Sequence, residues 1–193
     1  YKVTCPTQST LSYIRSLNIL SDDKICLLYD PIINVAEIND KKKQYNLKKR
    51  DYFLAVGRLT KQKDFMFLCK AFNEIINKSK NKDIKLFIAG DGEEFNKLNK
   101  IIKDYNLLEK VKLIGFKENI YQYFFNSSGF ILSSLYEDPG FVIIEAAALR
   151  KPILSSNCIT GPIEFLKNGA NGYLFQNNST SEFTKSFDLF END

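Results

Sequence analysis

Histidine is absent from all 193 residues. The chain therefore has no imidazole to act as a general base near neutral pH, no Ser-His or Cys-His nucleophile pair and no His-ligated metal of its own. Cysteine is sparse, and Cys5, Cys26, Cys69 and Cys158 stand apart without a CxxC pair. That scatter reads as reduced, mostly buried thiols of a cytoplasmic protein. No apolar run approaches the ~20 residues of a membrane span, and no signal-peptide pattern is visible. Nine glycines and five prolines are too few for a collagen-like or low-complexity chain. Strong charge of one sign is missing too: 27 Lys and Arg stand against 23 Asp and Glu, for a net +4. A nucleic-acid-binding domain concentrates its basic residues more, so nucleic acid is not an expected partner.

What remains is ordinary globular material, 44% hydrophobic, 13% aromatic and 26% charged. A chain of this length can bury about 70% of its extended surface, so it needs no metal or disulfide staple. The densest basic run, Lys41-Lys42-Lys43 followed by Lys48-Lys49-Arg50, leaves two readings open. It is either a solvated linker or helix face, or a patch that draws the protein to an anionic membrane surface.

Short apolar runs alternate with longer amphipathic ones. Residues 2–5, 25–29, 52–56, 84–89, 111–114, 129–132, 152–155 and 172–175 read as strands. From Tyr52 onward several are continuously apolar, as in Phe53-Leu54-Ala55-Val56, which belongs to a parallel sheet covered on both faces. Asp64 can cap a helix whose stripe is Phe65, Leu68, Cys69, Phe72, Ile75 and Ile76. Phe95, Leu98, Ile101, Ile102 and Tyr105 form a second stripe, and Ile120, Tyr123 and Phe124 a shorter one. Residues 141–149 are apolar almost all round, as in a buried helix, and further helices are expected over 9–20 and 180–190. The repeating β-α order from residue 52 predicts an α/β doubly wound parallel sheet. Residues 1–21 read as a remnant of a preceding domain and 22–193 as the main one, with a polar, lysine-rich segment after Asp30-Pro31. The start at Tyr1 and the stop within a helix suggest a piece of a longer protein.

Ligands of open parallel sheets sit at the carboxyl ends of the strands. After the strand at 52–56 comes Gly57, which permits a tight turn, then Arg58, a planar fork for phosphate oxygens, and Lys63 at the start of a helix. Two cations on such a loop suit a diphosphate. Gly90-Asp91-Gly92 ends the next strand and reads first as a plain turn, being neither a GxGxxG fingerprint nor a P-loop. Phe116, behind Ile114-Gly115, fits equally beside a nucleobase or in the core. The most informative segment runs from Ser133 to Glu145. A strand ends at Leu132, a Pro139-Gly140 turn follows and a helix begins, leaving the amides of Phe141 and Val142 free for an anion. Glu145 lies among Val142, Ile143, Ile144, Ala146 and Ala147, where a carboxylate is costly unless something satisfies it. A ribose hydroxyl pair would do so, and Glu137 points into the same crevice. Thr160-Gly161-Pro162-Ile163-Glu164 forms another strand-to-helix turn, with Glu164 by default the acid of that helix's first turn and a role in the site as the open alternative.

Together these residues resemble the carboxyl-terminal half of a GT-B glycosyltransferase of the large retaining family four, the glycosyl transferases group 1. The match runs through Gly57-Arg58-Leu59 with Lys63, Gly90-Asp91-Gly92, and Val111 with Gly115. It continues through Glu137 and Glu145 at E-x7-E spacing with Ala146, Ala148 and Pro152, and ends at Gly161 with Glu164 and Asn171-Gly172 with Leu174. The resemblance implies a Rossmann-like donor-binding domain, with residues 1–21 left from the acceptor domain. It implies that Arg58 and Lys63 bind the diphosphate with the amides of Phe141 and Val142 after Gly140. Glu145 would hold the ribose, Glu137 would face the donor sugar, and Gly57 and Phe116 would border the nucleotide. Glu137, Arg58 and Lys63 would be the catalytic group. It implies a UDP- or GDP-linked sugar donor, no metal and no further cofactor, and retention of anomeric configuration. A saccharide or lipid-linked acceptor would be held by the amino-terminal half, in polysaccharide or glycolipid assembly at the cytoplasmic face of a membrane. This piece alone would bind donor nucleotide weakly and turn over nothing. The chain departs from the family at Glu137-Asp138-Pro139-Gly140, where E-G-F-G is common, and at Asp64, where a glycine usually follows the lysine. A non-catalytic nucleotide-binding module on the same fold is the alternative. An epimerase would want histidine and a phosphorylase a pyridoxal-bearing lysine motif, and neither is seen.

Overall fold

The computed structural model describes residues 1–44, 52–78 and 83–192. It opens with two parallel strands, β1 (Val3–Cys5) and β2 (Ile25–Leu27), joined through helix α1 (Gln8–Ser16). Cys5, Leu11 and Ile25 form the small core of this β-α-β unit. The Thr7 hydroxyl caps α1 by accepting from the Thr10 amide. The helix stops short of residue 20 because Asn18 turns left-handed, at φ 51°. β2 stops short of residue 29 because its last bond to β1 is from the Leu28 amide to the Cys5 carbonyl at 3.0 Å, after which Thr7 caps α1 instead of continuing the ladder.

Helix α2 (Val35–Gln44) includes the start of the basic run, for which a helix face was one of the open readings, and extends back over ground that carried no helix signal. It has too few apolar residues for a stripe and is held by local signals. The Asn34 side-chain oxygen accepts from the Glu37 amide at 3.2 Å, and Glu37 pairs with Lys41 at 2.6 Å one turn later. Ile38 anchors it to the core, and the Lys41 ammonium lies 4.6 Å from the centre of the Tyr121 ring. The Lys41 end of the basic run is thus on a helix, whereas Lys48-Lys49-Arg50 lies outside the described residues.

The main sheet has six strands: β3 (Tyr52–Val56), β4 (Lys85–Ala89), β5 (Val111–Gly115), β6 (Gly129–Leu132), β7 (Ile153–Ser156) and β8 (Tyr173–Phe175). All pair in parallel, in the order β5-β4-β3-β6-β7-β8. Helices α3 (Phe65–Lys78), α4 (Phe95–Asp104), α5 (Tyr121–Asn126), α6 (Phe141–Ala148), α7 (Pro162–Phe165) and α8 (Thr180–Phe190) cover it. Alternate residues of β3 explain its unbroken apolar run. Phe53 and Ala55 join a core with Phe72, Leu98 and Phe187 of α3, α4 and α8, while Tyr52 and Leu54 join one with Phe124, Ile143 and Leu166 on the opposite face. The expected α/β doubly wound sheet is what the chain forms. Its strand order starts at β3, runs outward to β5, and returns to β6 on the other side. The loops after β3 and β6 therefore leave in opposite directions and open a crevice between them.

Helix α6 corrects an expectation. Of its residues only Ile143 and Ala146 are fully buried, and Phe141 is 48% exposed. Its first turn stands at the lip of the crevice, so apolar composition all round does not mean burial all round. Among the described residues no helix is long and apolar enough to cross a membrane.

Candidate functional site

Three neighbouring strand ends are stitched together on one side of the crevice. The Gly57 amide donates to the Ala89 carbonyl at 3.0 Å, Leu59 to Asp91 at 2.8 Å and Gly90 to Gly115 at 3.0 Å. Gly90 has φ 144°, and a Cβ there would stand 1.9 Å from the Gly57 carbonyl oxygen. The Gly90-Asp91-Gly92 turn is therefore a scaffold that fixes the Gly57-Arg58 loop. Arg58 is exposed and has no ion pair among the described residues. At the far end of this loop Asp64 has φ 46°, and its Oδ1 accepts from the Phe67 amide at 3.2 Å. The expected cap is present, in a left-handed position that a glycine would also suit. Burial pushes the Asp64 carboxyl above its ordinary value.

The loop after β6 closes onto the loop after β3. The Ser133 hydroxyl donates to the Lys63 carbonyl at 2.7 Å, the Leu135 amide to the Gln62 carbonyl at 2.8 Å, and the Gln62 side-chain amide to the Tyr136 carbonyl at 3.0 Å. These bonds bring the Lys63 ammonium onto Oε1 of Glu137, with side chains 12% and 6% exposed. The same Oε1 accepts from the Ser134 hydroxyl at 2.5 Å, and the Thr160 hydroxyl donates to the Glu137 carbonyl. Oε2 of Glu137 has no hydrogen-bond partner among the described residues. After the Pro139-Gly140 bend, α6 begins. The Ile143 amide reaches the Gly140 carbonyl at 3.1 Å, but the amides of Phe141 and Val142 have no acceptor among the described residues.

Two adjoining hollows share Gly57 and Arg58. One, of about 270 Å³, is lined by Gly57, Arg58, Lys63, Glu137, Gly140, Phe141 and Val142, with Gln62 and Asp138. The other, of about 630 Å³, is mostly apolar and runs over Val56, Ala89 and Gly90 to Phe116, Lys117 and Ile120. Phe116, at 76% exposed, is a wall of this hollow and not core. Seven of the residues singled out in the sequence thus meet in one hollow and the eighth, Phe116, lines its neighbour. Glu145 lines neither. It sits about 6 Å further along α6, half-buried, with Tyr121 of α5 near enough to feel its charge. Burial pushes its carboxyl above the ordinary range, and no hydrogen bond to that carboxylate is present among the described residues. Gln62, Ser133, Ser134 and Thr160 went unread as site residues. The one signal was a pair of serines at a strand's carboxyl end. Among the described residues there is no group of three or more metal-ligating side chains.

The chain shares 41% identity over 126 residues with an uncharacterized glycosyltransferase of Methanocaldococcus jannaschii, covering 64% of this chain and 30% of that protein. With the amylovoran biosynthesis glycosyltransferase AmsD of Erwinia amylovora it shares 31% over 183 residues, 95% of this chain and 50% of the relative. The chain thus spans at most half the length of these two relatives. Among solved structures, Staphylococcus aureus TarM in a complex containing UDP superposes with a TM-score of 0.84 at 20% identity, over 100% of this chain and 37% of that one. Anabaena HepE with UDP and glucose gives 0.76 at 20% identity, over 97% and 52%. Both likenesses concern the fold. The family model described as glycosyl transferases group 1 matches residues 37–193, which is most of the chain, and the chain belongs to that family.

Proposed function

We propose that this chain supplies the donor site of a glycosyltransferase that moves a sugar from a nucleotide-diphospho-sugar to an acceptor with retention of anomeric configuration. One observation carries the reading. A guanidinium with no ion pair and two helix-start amides with no acceptor among the described residues line one hollow with a paired lysine-glutamate couple, and that hollow adjoins a larger, mostly apolar one with room for a nucleobase. The TarM and HepE structures hold UDP, and HepE holds glucose, in proteins of this fold.

In this reading the base lies against Phe116 and Ile120, and the diphosphate spans from Arg58 to the amides of Phe141 and Val142. As the sugar–phosphate bond breaks, negative charge grows on the departing phosphate. Arg58, the positive end of α6 and Lys63 are already in place to meet it, so little reorganisation is needed. The charge is met by the chain's own groups, which makes metal independence part of the proposal. Glu137 keeps Oε2 available for a sugar hydroxyl while Oε1 is held by Lys63 and Ser134. It is a positioning group, not a nucleophile. Glu145, desolvated and without a hydrogen bond among the described residues, accepts from the ribose hydroxyls and recovers part of its burial cost. The acceptor, saccharide or lipid-linked, lies on the part of the protein outside these residues, in polysaccharide or glycolipid assembly on the cytoplasmic side of a membrane.

Calorimetry of this chain with UDP, GDP and ADP tests the reading. One of the three should bind at one site, more weakly in Arg58→Ala. Absence of binding by all three, or affinity indifferent to Arg58, contradicts it.

A further inference from the structure

Glu164 is the first-turn acid of α7, as expected, but its hydrogen bonds go elsewhere. Its carboxylate reaches across to the start of α1, accepting from the Gln8 amide at 3.0 and 2.9 Å and from the Ser9 amide at 3.2 Å. Asp138, the residue that departs from the family pattern, goes to the same place. Its Oδ1 takes the Thr7 hydroxyl at 2.9 Å and its Oδ2 the Thr10 hydroxyl at 2.5 Å. One helix start thus holds two carboxylates from segments more than a hundred residues away, using both oxygens of each. The two grips are joined by close packing, because a Cβ on Gly161 would stand 2.2 Å from the Pro139 carbonyl oxygen. Thr160 adds its bond to the Glu137 carbonyl from the same side.

The position of Asp138 gives this fastening its consequence. It follows Glu137, precedes the bend into α6, and lines the hollow that also holds Arg58 and the amides of Phe141 and Val142. A free carboxylate there would repel a diphosphate. Two hydroxyls at the positive end of α1 instead hold this carboxylate, stabilising its charge where it stands without cancelling it. We infer that Asp138 and Glu164 are positioning residues for the donor site. They fasten the β1-α1-β2 unit to the 137–140 loop, so that this unit sets where Glu137 and the start of α6 stand. The inference rests on the donor-site reading above and adds to it a structural role for residues 3–27.

The test substitutes the far side of the contact. Thr10→Val removes one hydroxyl, with its bond to Asp138 and its contact to the Thr7 hydroxyl at 3.0 Å, and leaves the Thr7 cap of α1 in place, and Thr10→Ser restores the hydroxyl. In the 1–193 chain, hydrogen exchange of residues 137–142 should be about fivefold faster in Thr10→Val, the effect of one hydrogen bond, with β3 unchanged. UDP affinity, read by calorimetry, should fall by a similar factor, and Thr10→Ser should match wild type in both. Glu164→Gln should reproduce the faster exchange. Equal exchange in Thr10→Val and wild type overturns the fastening. So does faster exchange spread evenly through the core, which marks a general loss of stability. A wild-type chain that gives no heat with UDP, GDP or ADP overturns the donor-site reading and the function given to the fastening with it; where GDP or ADP is the one that binds, it takes the place of UDP in these titrations. A chain that binds UDP equally well with and without the Thr10 hydroxyl overturns the inference alone.

Discussion

Lys63 and Glu137 meet through a single carboxylate oxygen, Oε1, which also takes the Ser134 hydroxyl at 2.5 Å. The pair is the hinge point of the crevice, because it joins the loop after β3 to the loop after β6. It also leaves the two oxygens of the carboxylate unequal, with Oε1 bonded within the protein and Oε2 without a hydrogen bond among the described residues.

Breaking this pair from one side leaves a largely buried charge uncompensated. Lys63→Met should cost about 3 kcal/mol of unfolding free energy, read from urea titration. Glu137→Gln should cost less, because its amide can still bond to Ser134. The double variant Lys63→Met with Glu137→Leu should recover part of the loss, as coupled neighbours do. Single losses that simply add would contradict the pairing.

Glu145 should behave as a group that folding disfavours. Its folded carboxyl titrates above the ordinary 4.5 because burial opposes ionisation. The folded state therefore binds more protons than the unfolded state from pH 4.5 upward to the raised value, and stability falls as pH rises through that window. Glu145→Gln should remove this contribution, so the difference between variant and wild type isolates it from Asp64, whose shift has the same sign. The variant should be the more stable at neutral pH yet bind UDP about tenfold more weakly, having lost a charged hydrogen-bond acceptor. A pH-independent difference in stability would contradict the assignment.

Two glycines should respond differently to alanine. Gly90→Ala drives a methyl to within 1.9 Å of the Gly57 carbonyl, and should cost more than 2 kcal/mol and displace Arg58. Gly115→Ala meets nothing within 4 Å and carries only left-handed strain at φ 70°, about 1 kcal/mol. Thermal unfolding of both variants, with UDP affinity for the first, checks the contrast.

The thiols should be slow to react. Burial pushes Cys69 up to about 12 and Cys158 up to about 11, so neither forms much thiolate at neutral pH. Native alkylation read by mass spectrometry should mark half-exposed Cys26 first and spare Cys69 and Cys158 until the chain is unfolded.

The sheet was legible because burial on both faces writes itself as unbroken apolar runs, clearest in 52–56. Gly57, Arg58, Phe141 and Val142 were legible because strand ends and glycine turns locate a crevice before any contact is known. The first turns of helix α2 were not, because they are held by an Asn cap and one Glu-Lys pair and show almost no apolar stripe; only its lysine-rich end was open to reading as a helix face. Ser134 and Thr160 were missed because their importance lies in whose oxygen they reach, which is a matter of tertiary geometry. Glu164 is the first-turn acid its spacing suggested, but its bonds to the Gln8 and Ser9 amides could not be read, because they too depend on tertiary geometry.

The central claim is that one nucleotide touches both sides of the crevice at once. A titration of the isotope-labelled chain with UDP, followed by amide chemical shifts, tests it most directly. The amides of Gly57, Phe116, Phe141 and Val142 should shift together along one saturation curve. Shifts confined to one side of the crevice, or none at the start of α6 at saturating UDP, would contradict the account.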